Sequence, residues 1–193
     1  SAIWSTRADE MQAHPVETFV RFFTSHGLMQ FNNRIPWRTV KGGSRNYVQP
    51  LSKDLIKNLK IGNGVQSITR HDNGVTIIDS TGQERNFDAL VIGAHANEAL
   101  SMLRDADAME RRLLGAFRYT DNKAVLHRDT RLMPKRRQVW SSWNYMGAAE
   151  TGASVTYWMN SLQPLKINFP LFVTVNPKRD PDPSTVFREF DYA

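Results

Sequence analysis

The fold of this chain is decided by residues 65–94, which read VQSITRHDNGVTIIDSTGQERNFDALVIGA. We interpret residues 65–70 as an alternating strand and residues 75–79 as a second strand, and the Asp-Asn-Gly sequence between them is typical of a hairpin turn. A Thr-Gly turn follows, and residues 87–94 form a third predicted strand. The spacing therefore predicts an antiparallel meander of three strands.

The third predicted strand differs from the first two because residues 89–92, Ala-Leu-Val-Ile, are apolar without alternation. A strand that is apolar on both sides is usually central in a sheet and covered on both faces. We therefore expect neighbours on both faces of this strand, and a helix over residues 97–103 after it. The glycine-rich run at 62–67 nearly matches a dinucleotide-binding loop, but it precedes a strand instead of a helix, so we interpret it as a turn.

The rest of the sequence mixes helical and strand patterns, which predicts an α+β fold class. The apolar spacing predicts helices over residues 15–25, 44–57 and 107–114. Strands rich in Val, Thr, Trp and Tyr are predicted over residues 124–127, 138–143, 154–159, 171–175 and from 185 onward. We expect the first helix to be deeply packed because Phe22 widens its apolar face, and we expect Pro50 to disturb the second helix.

Composition narrows the class of protein. The 193 residues contain no cysteine, 40% are hydrophobic and 23% are charged, which is the balance of a globular protein without a disulfide framework or a cysteine nucleophile. No apolar run of about 18 residues occurs, so we predict no transmembrane segment. No charged-then-apolar leader opens the sequence, and we expect a cytoplasmic protein, although the lack of cysteine fits other compartments as well.

The net charge is +6 and the sequence pI is about 9.8. A basic protein attracts nucleic acid, anionic lipid or phosphorylated ligands. Here the charge is dispersed, and Lys135, Arg136 and Arg137 form the one tight basic cluster. Because nucleic-acid-binding proteins usually concentrate their basic residues on one face, we expect no nucleic-acid partner.

Short motifs do not assign a reaction. The sequence has no phosphate-binding loop of the Walker type and no Gly-x-Ser-x-Gly nucleophile elbow. None of the five histidines has the spacing of a zinc site, so we predict no metal. His95 follows an apolar strand at the end where α/β sheets bind ligands, but a structural role is the better interpretation.

Several segments together resemble a known family. Trp-Arg-Thr-Val at 37–40, Gly-Gly-Ser at 42–44 and Tyr-Val at 47–48 resemble the signature of bacterial NAD/FAD-binding proteins, which are similar to flavin-containing amine oxidases and phytoene desaturases. The further matching segments are residues 2–5, 87–96, 114–119, 140–145 and 155–160. The resemblance covers nearly the whole chain.

The resemblance implies a division into three parts. Residues 1–60 would belong to the helical part of a substrate domain, residues 61–104 to the β-meander of an FAD-binding domain, and residues 105–193 to a β-rich substrate domain with a mixed sheet and packed helices. The dinucleotide-binding motif that precedes this region in the family, and the glycine-rich flavin segment that follows it, are absent from the sequence. We therefore expect an internal fragment of a larger protein that is inactive alone and, with an apolar face uncovered, able to self-associate.

The resemblance also implies FAD as the cofactor of the full-length parent. In related flavoproteins the residue that opens the first meander strand holds the adenine through its backbone, and that position is Val65 here. Small residues that end the third strand pass close to the adenosine half of FAD, as Gly93 and Ala94 would here. A third segment consists of Gly42, Gly43 and Ser44. It resembles the place in related flavoproteins where the chain comes back toward the flavin.

The implied activity is that of an FAD-dependent oxidoreductase of the amine oxidase or desaturase type, which transfers a hydride from an amine or an apolar, lipid-like substrate to FAD. The candidates for the substrate pocket are Trp140, Trp143, Tyr157 and Trp158, although aromatic residues on strands more often belong to the core. We assign no catalytic residue. The alternative hypothesis is a non-catalytic binding domain that recruits an anionic partner through its basic surface and exposed sheet edges.

Overall fold

The computed structural model of the chain describes residues 15–30, 32, 36, 38–147 and 153–192. The chain divides into two compact units. The first unit combines Ser1–Leu51 with Asp121–Ala193, and the second unit is Ser52–Thr120. Each unit contains one antiparallel sheet and helical segments, so the predicted α+β class is confirmed.

The helices and strands are named in chain order. They are α1 (Val16–Ser25), α2 (Arg45–Ser52), β1 (Val65–His71), β2 (Gly74–Asp79), β3 (Glu84–Phe87), α3 (Ala96–Met102), α4 (Ala108–Leu114), β4 (Asn122–His127), β5 (Trp143–Gly147), β6 (Ala153–Trp158), α5 (Met159–Leu162), β7 (Phe172–Val175) and β8 (Val186–Tyr192). Within the described residues, three short 3-10 helices cover Thr130–Leu132, Arg137–Val139 and Pro183–Thr185.

The sheet of the second unit is an antiparallel meander in the order β1-β2-β3, in which β1 and β2 lie where they are predicted. Its first turn depends on Gly74, whose φ of +141° is rarely adopted by other residues and whose missing side chain leaves room for the backbone carbonyl of Phe87. Ile68, Val75 and Ile77 form the buried core of this sheet. Buried residues alternate along β2, whereas in β1 the consecutive residues Ser67 and Ile68 are both buried, because the register of the ladder shifts between Val65 and Ser67.

Two short helices follow the meander, as predicted for residues 97–103 and 107–114. The Asp107 carboxylate caps α4 by accepting a hydrogen bond from the Glu110 N–H at 2.7 Å. The Arg70 guanidinium of β1 donates to Asp105 at 2.9 Å and to Glu110 at 2.6 Å. This ion-pair network joins the sheet to the start of α4.

The prediction of a third strand over residues 87–94 is wrong. The strand β3 ends at Phe87, and residues 88–95 run on without regular sheet pairing. Val91, in the middle of this apolar run, is 95% exposed. A strand needs a hydrogen-bonding neighbour, and within the described part of the second unit β3 pairs with β2 alone. The apolar pattern therefore indicates a segment that is suited to burial, but residues 88–95 stay exposed in this unit.

In the described part of the first unit, the sheet has five strands in the order β5-β6-β7-β4-β8. All of its described pairings are antiparallel, so the expectation of a mixed sheet is corrected. β5 and β8 are the two edges, and the buried residues concentrate on the central strands, such as Val125, Val155 and Phe172. The centre of this sheet is therefore the core of the first unit.

One face of this core carries a chain of buried polar groups. The Asp129 N–H donates to Nδ1 of His127 at 3.1 Å, so the ring proton of the neutral imidazole lies on Nε2, which is 2.7 Å from Oγ1 of Thr174. The Thr174 hydroxyl is 2.9 Å from that of Thr156, which donates to the Leu132 carbonyl at 3.3 Å. Burial lowers the pKa of His127 from its ordinary value of 6.5. The network therefore requires the neutral form of this histidine.

The prediction of a strand over residues 138–143 is also wrong. Residues Arg137–Val139 form a 3-10 helix, and β5 begins only at Trp143. The indole N–H of Trp140 donates to the Pro134 carbonyl at 2.8 Å, and the Asn144 side chain bonds to both the N–H and the carbonyl of Ser141. These local side-chain bonds hold a turn in residues whose composition favours a strand.

The helix α1 forms where it is predicted, but it is not deeply packed, because none of its residues is buried. The ring of Phe19 stacks on Phe23 with a centroid distance of 4.2 Å, and Phe22 stacks on His26 at 4.1 Å. The aromatic residues therefore contact one another along the helix. The amphipathic pattern predicts that the helix forms, but it does not predict which part of the protein packs against its apolar face.

The second predicted helix is shorter than expected. It ends at Ser52 with Pro50 in its last turn, and residues 53–58 form turns. Over the ranges that the structure describes, no helix combines the length and apolar character needed to cross a membrane.

Candidate functional site

A cavity of about 520 Å³ opens at the end of the meander in the second unit. Three segments line it: the start of β1, the extended residues after β3, and one face of α3. The lining residues are Gly64, Val65, Ile68, Leu90, Val91, Ile92, Gly93, Ala94, Glu98, Ser101 and Met102. Three of the predicted cofactor-binding residues, Val65, Gly93 and Ala94, therefore lie around one cavity. Its volume is in the range typical of small-molecule sites.

The backbone N–H and C=O groups of Val65 are oriented so that they can form hydrogen bonds with a ligand. The Ser80 N–H donates to the Gly64 carbonyl at 2.8 Å, and Val65 lies opposite Asp79 in the ladder. This makes Val65 and Asp79 a non-hydrogen-bonded pair, in which the N–H and C=O of each residue point away from the other strand. Because β1 is an edge of the sheet, Val65 presents one donor and one acceptor beyond the sheet.

The glycine at position 93 has free space beside it. A Cβ atom built on Gly93 would meet no described atom within 4 Å, and its φ lies outside the left-handed region. Neither packing nor backbone conformation in the second unit therefore requires glycine at this position. The neighbouring Ala94 is exposed and also small. This open edge leaves room for a bound group to approach the backbone closely.

The far side of the cavity is fixed by the start of α3. The Glu98 carboxylate accepts a hydrogen bond from the His95 N–H at 3.1 Å, and the phenol oxygen of Tyr119 accepts one from the Ala96 N–H at 2.9 Å. The His95 ring stacks on Tyr119 with a centroid distance of 4.4 Å. These contacts agree with the structural role expected for His95.

Two polar cavity residues were missed by sequence reasoning. Glu98 and Ser101 of α3 line the cavity, and the Ser101 hydroxyl donates to the Glu98 carbonyl at 2.7 Å. Together with Met102 they lie at the i, i+3 and i+4 positions of one helical face. That spacing was readable in the sequence, because residues at the i, i+3 and i+4 positions of a predicted helix share one face.

The Gly42, Gly43 and Ser44 segment belongs to the first unit, and its geometry is explained by a turn. Gly42 and Gly43 have φ values of +83° and +84°, which favour glycine. The Asn46 amide closes the turn by donating to the Lys41 carbonyl at 2.6 Å. The role of this segment in binding the flavin stays a prediction. Trp37 and residues 2–5 of the resemblance lie outside the described residues.

The four aromatic candidates for a substrate pocket form two pairs. Trp143 lies opposite Tyr157 between β5 and β6, with ring centroids 5.7 Å apart. Trp140 contacts Trp158 at 5.4 Å and Phe172 at 5.7 Å. Because Tyr157 and Trp158 are adjacent in one strand, their side chains point to opposite faces of the sheet. The four residues therefore do not surround a single pocket.

The Trp143 pair is the more accessible of the two. Trp143 lines a second cavity of about 460 Å³, together with Ser141, Ser142 and Leu162. The Ser142 hydroxyl lies 2.9 Å from that of Ser161. Burial raises the pKa of Tyr157, so its phenol is neutral at physiological pH. This cavity offers an aromatic wall and a few hydroxyl groups.

The Trp140 pair lies closer to the core. The indole N–H of Trp158 is buried and has no hydrogen-bond partner within the described residues. A buried donor without a partner costs about 1–3 kcal/mol, so an acceptor at this position would stabilise the site. No group of three or more histidine, aspartate or glutamate side chains in the described ranges is arranged to hold a metal ion.

Comparisons with known proteins bear on the fold. No protein family and no curated protein matches the sequence. Among solved structures, the chain is similar to the crystal structure of the CLA-producing fatty acid isomerase from P. acnes, with a TM-score of 0.51 and 13% sequence identity. The similarity covers 78% of this chain and 39% of that one, so the chain spans about two fifths of that enzyme's length. At this identity the likeness shows a shared fold alone.

Proposed function

We propose that the chain is part of an FAD-dependent oxidoreductase, and that the cavity of the second unit holds the adenosine end of FAD. The observation that carries the proposal is the convergence of Val65, Gly93 and Ala94 on one cavity. Val65 comes from the start of β1, and Gly93 and Ala94 come from one segment after β3. The resemblance to flavoproteins assigns all three to the adenosine half.

The polar groups of the cavity suit adenine and ribose. Adenine presents a donor and acceptors along its edge, and Val65 presents a backbone N–H and C=O beyond the sheet. The apolar side chains of Leu90 and Met102 would provide surfaces for the faces of the ring. Glu98 and Ser101 would bond to the ribose hydroxyls. The residues present therefore fit the adenosine half of the cofactor.

The flavin, when bound, would supply the redox chemistry by accepting electrons from the substrate. The part of this chain is to bind and orient the adenosine end. The described residues offer no group that we assign to a catalytic step.

For the substrate, we propose an apolar, lipid-like molecule in preference to an amine. The aromatic wall at Trp143 and the second cavity of about 460 Å³ support an apolar ligand. The similarity in fold to an enzyme named as a fatty acid isomerase adds weaker support, because it extends to fold alone.

The test is a titration of the purified chain with AMP and with FAD. We expect both ligands to bind, and we expect Gly93→Val to lower both affinities at least about ten-fold by filling the open edge of the cavity. We expect the same substitution to leave the free energy of unfolding nearly unchanged, because a Cβ atom at this position meets no described neighbour within 4 Å.

The matched control is Ala116→Val, which adds similar bulk at an exposed position that does not line the cavity. If Gly93→Val unfolds the chain, Ala94→Leu takes its place. Failure of the unmodified chain to bind either ligand, or equal affinities of Gly93→Val and the control, would contradict the proposal.

A further inference from the structure

Residues 53–61, which read KDLIKNLKI and which we call the Lys-Leu segment, form an exposed surface in the second unit. All nine residues are exposed. The apolar side chains are exposed to an unusual degree: 61% for Leu55, 64% for Ile56, 50% for Leu59 and 87% for Ile61. Apolar residues that are exposed together in one segment usually mark an interaction site.

The same segment carries a net positive charge. Lys53, Lys57 and Lys60 alternate with the apolar residues, and Asp54 is the one acidic residue. None of these three lysines takes part in the ion pairs found within the described residues. The segment therefore presents free ammonium groups beside exposed leucine and isoleucine side chains.

We propose that the Lys-Leu segment docks on the surface of an anionic lipid bilayer. The lysines would contact the phosphate headgroups, and the apolar side chains would enter the boundary between headgroups and acyl chains. Each lysine near an anionic membrane contributes about 1 kcal/mol, which is about five-fold in affinity. This inference goes beyond the proposed binding of FAD and does not depend on it.

The composition of the segment favours lipid over the other anionic partners. Binding of single-stranded nucleic acid uses aromatic side chains on which the bases stack, and residues 53–61 contain none. A second copy of this chain would place the same positive surfaces against each other, which is unfavourable. A bilayer offers both the negative charge and the apolar interior that the segment requires.

The test is cosedimentation of the chain with vesicles of phosphatidylcholine alone and of phosphatidylcholine mixed with phosphatidylglycerol. We expect binding to the anionic vesicles alone, and weaker binding at high salt. Replacing Lys53, Lys57 and Lys60 together by glutamine should lower the affinity by up to about a hundred-fold, from three five-fold contributions. Ile61→Ser should weaken binding without changing its dependence on salt.

Two control proteins keep the comparison matched. The triple variant of Lys166, Lys178 and Arg179 to glutamine removes the same charge from exposed positions elsewhere, and Leu113→Ser removes an exposed apolar side chain from α4. Both should bind vesicles as the unmodified chain does. The proposal is overturned by equal binding to neutral vesicles, by equal losses in the test and control variants, or by preferential binding to single-stranded RNA. It is also overturned if the chain dimerises and Ile61→Ser yields a monomer with no effect on lipid.

Discussion

Replacing Thr174 by valine tests the buried polar network of the first unit. Valine has nearly the shape of threonine but lacks the hydroxyl that accepts the Nε2–H of His127 at 2.7 Å and contacts the Thr156 hydroxyl at 2.9 Å. The substitution leaves a fully buried imidazole N–H without an acceptor. An unsatisfied buried donor costs about 1–3 kcal/mol, so we expect the free energy of unfolding to fall by about 2 kcal/mol.

The assay is urea unfolding followed by tryptophan fluorescence. The second unit, Ser52–Thr120, contains no tryptophan, so the signal reports on the first unit. We expect a lower midpoint with an unchanged slope, which is the signature of a change in stability alone. The matched control is Thr130→Val, which is the same substitution at an exposed position. For this control we expect the free energy of unfolding to fall by less than about 0.5 kcal/mol. Equal midpoints for the two variants would show that the network does not stabilise the fold.

Three further outcomes follow from the structure. The first unit should lose stability as the pH falls below 6.5. Burial lowers the pKa of His127 in the folded state, so the unfolded chain binds more protons than the folded chain in this pH range. A urea unfolding midpoint that stays constant between pH 7 and pH 5 would contradict this prediction. In the second unit, hydrogen bonds from Thr81, then from Asn63, hold the pKa of Asp79 at about 2, against its ordinary 3.8. Its contribution to stability is therefore present above pH 3.8 and lost as the pH falls toward 2. Asp79→Asn should reduce the acid dependence of this unit in circular dichroism, and an unchanged acid dependence would contradict this. Ile68→Ala should destabilise the second unit by about 2–5 kcal/mol, seen as faster amide exchange in β1 and β2, because Ile68 is the most buried residue of that core.

The local features of the fold were predictable from the sequence. The Asp-Asn-Gly turn and the β-branched residues on both sides of it predict β1 and β2, and the position of Asp107 predicts the start of α4. Each of these depends on residues that are close in the sequence. Predictions that required knowledge of a distant neighbour failed: residues 88–94 have no strand beside them in their unit, and α1 has no buried residue.

The candidate site was predictable in part. The resemblance identifies Val65, Gly93 and Ala94, and the structure places all three around one cavity. The aromatic candidates could not be resolved from composition, because the register of β5 with β6 decides which of them share a face. Likewise, the turn held by Asn144 replaces a strand that the sequence favours, since the strength of a side-chain bond is not visible in the residue pattern.

The most direct test of the central claim is to map AMP binding by the backbone amide signals of the isotope-labelled chain in solution. We predict that AMP shifts the amide signals of Val65, Gly93 and Ala94 in a saturable way, together with those of Glu98 and Ser101 on α3. Signals of the first unit should not move. Shifts confined to other residues, or no saturable shift of these amides, would contradict the assignment of this cavity to the adenosine end of FAD.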